Sequence, residues 1–106
     1  MDPRIYSIDE IIFKLMPVFR SHSVCQAILF GSYAKNCATP QSDVDILVDS
    51  GLHGLAFYGL LEDVVESLDK SVDLIDVSQL EPGSQIQRDI QQEGRIIYER
   101  KRQASA

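Results

Sequence analysis

In the segment FGSYAKNCATPQSDVDILV, two short apolar runs are joined through a polar stretch, and chemistry-bearing residues stand where each run meets it. Ile28-Leu29-Phe30 runs into Gly31-Ser32. Ten residues later, Asp43-Val44-Asp45 opens a second run that continues to Val48. Apolar runs this short, bounded by turn residues, read as strands. The first strand is expected over residues 24–30. Gly31-Ser32 then opens a short helix to about Asn36, Thr39-Pro40-Gln41-Ser42 is turn chemistry, and the second strand covers residues 43–49.

The remaining segments alternate in the same way. Ser7 and Glu10 form a capping box ahead of a helix with Ile8, Ile11, Ile12, Leu15, Met16 and Phe19 on one side. Pro17 lies inside that pattern and should kink or divide the helix, because it lacks an N–H and crowds the preceding turn. Residues 54–70 read as a helix with Leu55, Tyr58, Leu61, Val65 and Leu68 on the buried side. Glu62, Asp63, Glu66 and Asp69 line the other side, and Glu66 with Lys70 makes an i,i+4 pair. A third strand covers 72–77, Ser84 caps a helix that ends before Gly94, and Ile96, Ile97 and Tyr98 make a last strand. The order α-β-α-β-α-β-α-β implies an α/β fold, a single mixed β-sheet with flanking helices. The 106 residues form one domain, 1–106, with a frayed tail over 100–106.

Composition removes several classes. Apolar residues make up 44% and charged residues 25%, the balance of a globular protein rather than a disordered one. No apolar run approaches the ~18 residues of a membrane span, and the start, MDPRIYSIDE, lacks the pattern of a secretory signal. Cys25 and Cys37 form no CxxC and read as reduced thiols of a cytoplasmic protein. The net charge of −6, with Lys and Arg scattered, argues against a polymeric nucleic-acid substrate. It is compatible with a nucleotide carried in on a divalent cation.

Asp43 and Asp45 point to one face of their strand, with Cα atoms about 6.5–7 Å apart. Unpaired, they repel; a divalent cation removes that cost. Oxygen-only donors favour Mg²⁺, with Mn²⁺ as the alternative, over Zn²⁺. Gly31 lets backbone approach a ligand closely, the helix N-terminus offers free N–H groups to a phosphate, and the Ser32 hydroxyl adds a donor. Lys35 lies one turn further on and can meet a phosphate. No G-x-x-x-x-G-K-[ST] or G-x-G-x-x-G competes. Asp73 opens the third strand as Asp43 opens the second and is preferred over Asp76 as a third carboxylate, serving as metal ligand and as base for an attacking hydroxyl. Asp49 shares the parity of Asp45 but reads as solvent-facing. Tyr33, Phe57 and Tyr58 are aromatics that could stack on a base, the last two fitting core packing better. Together these features suit nucleotidyl transfer from a nucleoside triphosphate.

Gly31-Ser32, ten residues, Asp43-x-Asp45 and a later Asp73 resemble the motif of the minimal nucleotidyltransferases (MNT) of the polymerase-β superfamily, the antitoxin component of HEPN/MNT toxin–antitoxin pairs. The closing Glu93-Gly94-Arg95-Ile96-Ile97-Tyr98-Glu99 also looks like the end of such domains. The resemblance implies a polymerase-β-like fold, ATP as donor with Mg²⁺, and transfer of AMP to a tyrosine of a partner HEPN ribonuclease. The family often has a basic residue and then Gly after Gly-Ser-x-Ala. Here the pair is Lys35-Asn36, and Asn tolerates the left-handed backbone that such a turn uses. Two other readings stand beside the enzyme: an antitoxin that acts by complex formation alone, and an adenylyltransferase of small molecules, which usually carries an extra helical domain.

Overall fold

Helix α1 (Ile8–Ser21) starts where the sequence supplies a reciprocal cap: Glu10 N–H donates to Ser7 Oγ at 3.1 Å, and Ser7 N–H donates to Glu10 Oε1 at 3.0 Å. Of the two expected effects of Pro17, a kink or a division, the helix shows no division: it runs through Pro17 as one element. Pro17 and Phe13, whose carbonyl loses its usual partner, both lie on the exposed side, where water can satisfy that carbonyl. Ile11, Leu15 and Phe19 are buried, while Met16 is exposed rather than part of the packed face. The chain, a computed structural model, is described over residues 5–100. The tail expectation lies outside the described residues from 101 onward.

Strand β1 (Gln26–Phe30) passes directly into the short helix α2 (Gly31–Ala34), and β2 (Val44–Asp49) follows. Helix α3 (Leu55–Leu68) leads to β3 (Val72–Asp76), a 3-10 turn at Val77–Gln79, α4 (Gln85–Glu93) and β4 (Arg95–Glu99). Ser84 caps α4 as expected, accepting from Gln87 N–H at 3.2 Å. The strands form one sheet in the order β3-β2-β1-β4. β1 is antiparallel to β2 and β4, whereas β2 and β3 are parallel with α3 as the crossover. This is the mixed sheet with flanking helices that the element order implied.

Alternation along β2 decides what each face does. Val44, Ile46 and Val48 are fully buried and belong to one core with Ile11, Leu15 and Phe19 of α1 and with Leu60, Val64 and Leu68 of α3. Asp45, Leu47 and Asp49 take the opposite parity. Asp49 is half-buried rather than solvent-facing. Two ties fasten the helical layer. His22 Nε2 pairs with Asp63 Oδ2 at 2.7 Å between α1 and α3, and the Tyr6 hydroxyl donates to the Leu68 carbonyl at 2.7 Å. Among the described residues, no helix is long and apolar enough to cross a membrane. Cys25 and Cys37 are free.

Helix α3 departs from its expected orientation. It buries Leu60, Val64 and Leu68 and exposes Leu55, Tyr58 and Val65. The doublets Phe57-Tyr58, Leu60-Leu61 and Val64-Val65 give two apolar stripes at helical spacing, and packing against α1 selects the other one. The helix also ends at Leu68 with Asp69 in the left-handed region (φ 51°), so Lys70 lies beyond it. Lys70 is buried with its ammonium 5.8 Å from the centre of the Tyr6 ring, not on the helix surface as an i,i+4 partner of Glu66.

Asp76 holds the far ends of β2 and β3 together. Its carboxylate accepts from Ser50 N–H (3.1 Å), Ser50 Oγ (2.5 Å), Ser78 N–H (2.9 Å) and Ser78 Oγ (2.6 Å). Burial alone would raise this carboxyl, but those hydrogen bonds outweigh it and hold it below its ordinary value of 3.8. The folded protein therefore binds this proton less readily than the unfolded chain. The stabilisation is present above the ordinary value and is lost as pH falls through the depressed one. Asp76→Ala leaves buried donors unpaired and should cost about 2–4 kcal/mol in urea unfolding at neutral pH. The difference from the parent protein should shrink as acid protonates Asp76.

Candidate active site

The register of β2 brings the motif together. Phe30, the last residue of β1, is the cross-strand partner of Asp45, and Asp45 is the partner of Asp73 in β3. The glycine after Phe30 therefore lies against Asp45. Gly31 has φ +72°, and a Cβ built there would overlap Asp45 Oδ2 and stand 3.0 Å from its Cγ. Glycine is needed twice at this position, for its backbone angle and for the space the carboxylate occupies. As the first residues of α2, Gly31, Ser32 and Tyr33 carry N–H groups without intrahelical acceptors.

Three carboxylates meet electrostatically at this end of the sheet. Asp43, exposed, immediately precedes β2; Asp73, exposed, is the second residue of β3; Asp45 is half-buried between α2 and β3. Burial chiefly, then the charge of Asp73, then that of Asp43, pushes the Asp45 carboxyl from 3.8 up to about 6. These residues supply hard oxygen donors and an excess of negative charge, which suits Mg²⁺ or Mn²⁺. Among the described residues, no three His, Cys, Asp or Glu side chains are grouped as a finished metal site. The carboxylates are neighbours by register and repulsion, and a cation would have to draw them in.

The other candidate residues separate. Lys35 is exposed at the C-terminal end of α2, a turn from the free N–H groups. Asn36 takes the left-handed conformation (φ 60°) that the Lys35-Asn36 pair called for. Asp76 belongs to the clamp at the opposite end of the strands and takes no part here. Phe57 is half-buried, and Tyr58 is 62% exposed on α3, so the core role expected for Tyr58 is not met. Tyr33 is buried inside α2. Burial raises its phenol, and the Tyr6 backbone, which pulls the other way, does not reach hydrogen-bonding geometry. The hydroxyl is enclosed without a partner among the described residues. Nothing in the sequence marked this buried polar atom.

Known proteins resemble this chain in sequence and in fold. The family described as Polymerase beta, Nucleotidyltransferase matches residues 14–103. A Methanocaldococcus jannaschii protein, named as a candidate protein adenylyltransferase, is 37% identical over 79 residues, covering 72% of this chain and 84% of its own length. Among solved structures, a chain of a toxin–antitoxin complex with AMP-PNP superposes with a TM-score of 0.71 at 24% identity, covering 84% of this chain and 73% of that one. A chain from a complex of tri-AMPylated Shewanella oneidensis HEPN toxin with MNT antitoxin gives 0.66 at 22% identity, covering 88% and 73%. At these identities the structural matches establish the fold.

Two outcomes follow from the geometry. Gly31→Val forces a side chain into the space of Asp45 and should lower both stability and activity, read by thermal unfolding and by ATP-dependent turnover. Asp45→Asn should do the opposite to stability. A carboxyl raised in the folded state holds its proton more tightly there than in the unfolded chain. Stability therefore declines as pH rises from about 4 to about 6 and stays reduced above that window. The asparagine variant should gain about 1 kcal/mol at neutral pH, less than the full shift because water screens a half-buried carboxylate. Below pH 4 the gain should vanish. Millimolar Mg²⁺ should stabilise the parent protein more than the variant.

Proposed function

The chain belongs to the polymerase-β nucleotidyltransferase family, and from that premise we propose that it transfers AMP from ATP to a tyrosine hydroxyl of a partner HEPN-type ribonuclease toxin, as that toxin's antitoxin. The observation that carries the reading is the contact of Gly31 with Asp45, with Asp73 in register on the next strand. Backbone N–H groups at the start of α2 thereby stand beside a set of carboxylates, which supports a nucleotidyl-transfer reading. The AMP-PNP complex and the AMPylated toxin among the structural matches support the donor and the acceptor class, as does the adenylyltransferase name of the relative.

In this mechanism the N–H groups of Ser32 and Tyr33 and the Ser32 hydroxyl donate to the triphosphate of ATP, with Lys35 adding charge from the end of α2. Asp43, Asp45 and Asp73 would hold Mg²⁺, which supplies neutralisation of charge on the phosphates when bound. The tyrosine oxygen attacks the α-phosphorus. A new O–P bond forms, the bond from the α-phosphorus to the bridging oxygen breaks, and pyrophosphate leaves. Asp73, exposed on β3, accepts the tyrosine proton at a carboxylate oxygen. We place the reaction in the cytoplasm, where Cys25 and Cys37 stay reduced.

The charge of −6 supports a basic protein acceptor over a nucleic acid. AMP on the toxin would add bulk and negative charge where it must meet RNA phosphates, so modification should inhibit by occlusion and repulsion. To test this, the protein is incubated with Mg²⁺, ATP and the HEPN-type product of an adjacent gene, and that product is weighed. The expected result is a gain of one or more AMP units that disappears with Asp43→Asn. An unmodified toxin that is nonetheless silenced would move the case to neutralisation by complex formation. Modification of a small molecule instead would move it to the third reading.

A further inference from the structure

Helix α3 carries two apolar stripes, and its packing buries one of them. One stripe is spent on α1 and the sheet. The second, Leu55 (89% exposed), Tyr58 (62%) and Val65 (36%), faces away from the core, with Leu61 half-buried at its edge against the core. Leu61, Tyr58 and Val65 line a groove of about 620 Å³ together with Glu62, Glu66 and Asp69. A continuous apolar stripe at helical spacing, rimmed by charge, is the form of a surface that receives another helix.

The sign of the rim selects the occupant. The sequence of α3, LAFYGLLEDVVESL, contains no Lys or Arg. Glu62 and Glu66 are exposed, and Asp69 caps a helix whose last turn holds no basic residue, so the negative end of the helix dipole adds to theirs. Asp63 is held by His22, and Lys70 is buried against Tyr6, so neither changes the sign of the rim. A second copy would set these acids against themselves, and a nucleic acid would bring more negative charge. The complementary surface is a helix with apolar residues three and four apart and Lys or Arg beside them.

The groove also runs toward the end of the sheet at which β2 and β3 start. Its acidic end, Asp69, continues through Ser71, whose carbonyl accepts Val44 N–H at 3.0 Å, into β3. A helix lying along α3 therefore ends at the edge of the sheet from which β2 and β3 start, with Asp43, Asp45 and Asp73 on the other face of that sheet. We propose that the outward stripe of α3 docks a cationic amphipathic helix of the protein that receives AMP. The inference rests on the preceding reading in taking that docked protein to be the acceptor.

The test compares the parent protein with Tyr58→Asp, Val65→Asp and the double charge reversal Glu62→Lys with Glu66→Lys, all at exposed positions, with folding checked by circular dichroism. Steady-state AMP transfer should show KM for the acceptor raised at least about tenfold, with kcat at saturating acceptor and KM for ATP unchanged. Affinity for the acceptor without ATP should fall by the same factor. A synthetic Leu/Lys heptad helix should bind the parent protein, and its Leu/Glu counterpart should not. Variants that transfer AMP and bind the acceptor and the Leu/Lys helix as the parent does overturn the docking face and leave the transferase reading intact. Absence of AMP transfer in the parent, with binding still lost in the variants, supports the docking face and overturns the transferase reading.

Discussion

The site depends on the register of β2. With Phe30 opposite Asp45, Val44, Ile46 and Val48 fill the core and Asp45 meets Gly31. A slip of one residue would exchange these sets and drive Asp45 into the apolar layer beneath α1 and α3. Burying a carboxylate there without a partner is far costlier than holding it half-exposed beside two other acids. The hydrophobic alternation that folds the strand is therefore the same pattern that aims the carboxylate.

The two ends of the β2–β3 pair are under opposite electrostatic demands. At one end Asp45 faces Asp73 across the parallel ladder, and their charges push apart. At the other end Asp76 binds the Ser50 backbone and hydroxyl, and its charge pulls the strands together. Parallel strands joined by a helix gain no help from a tight turn in keeping register. The clamp at Asp76 supplies the missing restraint at the end of the strands opposite the three carboxylates. Repulsion among Asp43, Asp45 and Asp73 is then borne without loss of register.

Much of this was legible in the residues. The capping box at Ser7 and Glu10, the cap at Ser84, the left-handed Asn36 and the order of strands and helices each follow from local chemistry that the structure keeps. The proximity of Asp73 to Asp45 was readable only as a condition on strand neighbours, because strand order is a tertiary fact; the parallel pairing meets that condition. Three features were not legible. The buried stripe of α3 could not be chosen while Phe57-Tyr58, Leu60-Leu61 and Val64-Val65 offered two equal solutions. The continuity of α1 through Pro17 depended on which side of the helix met water. The hydrogen bonds of Asp76 depended on Ser50, a residue of another strand end, and made a strand-end acid into a structural anchor.

Strand β4 closes the sheet on β1, pairing Gln26 with Glu99 and Leu29 with Arg95 across most of the chain's length. During synthesis β1 can find β2 early, since little chain separates them. Its other side remains an open row of N–H and C=O groups until residues 95–99 have left the ribosome. Contacts that distant in sequence are also the slowest to close once the chain is free. The nascent protein thus passes through a stage in which its central strand is exposed to any passing strand. Chaperone contact or association between neighbouring ribosomes would find its opening there.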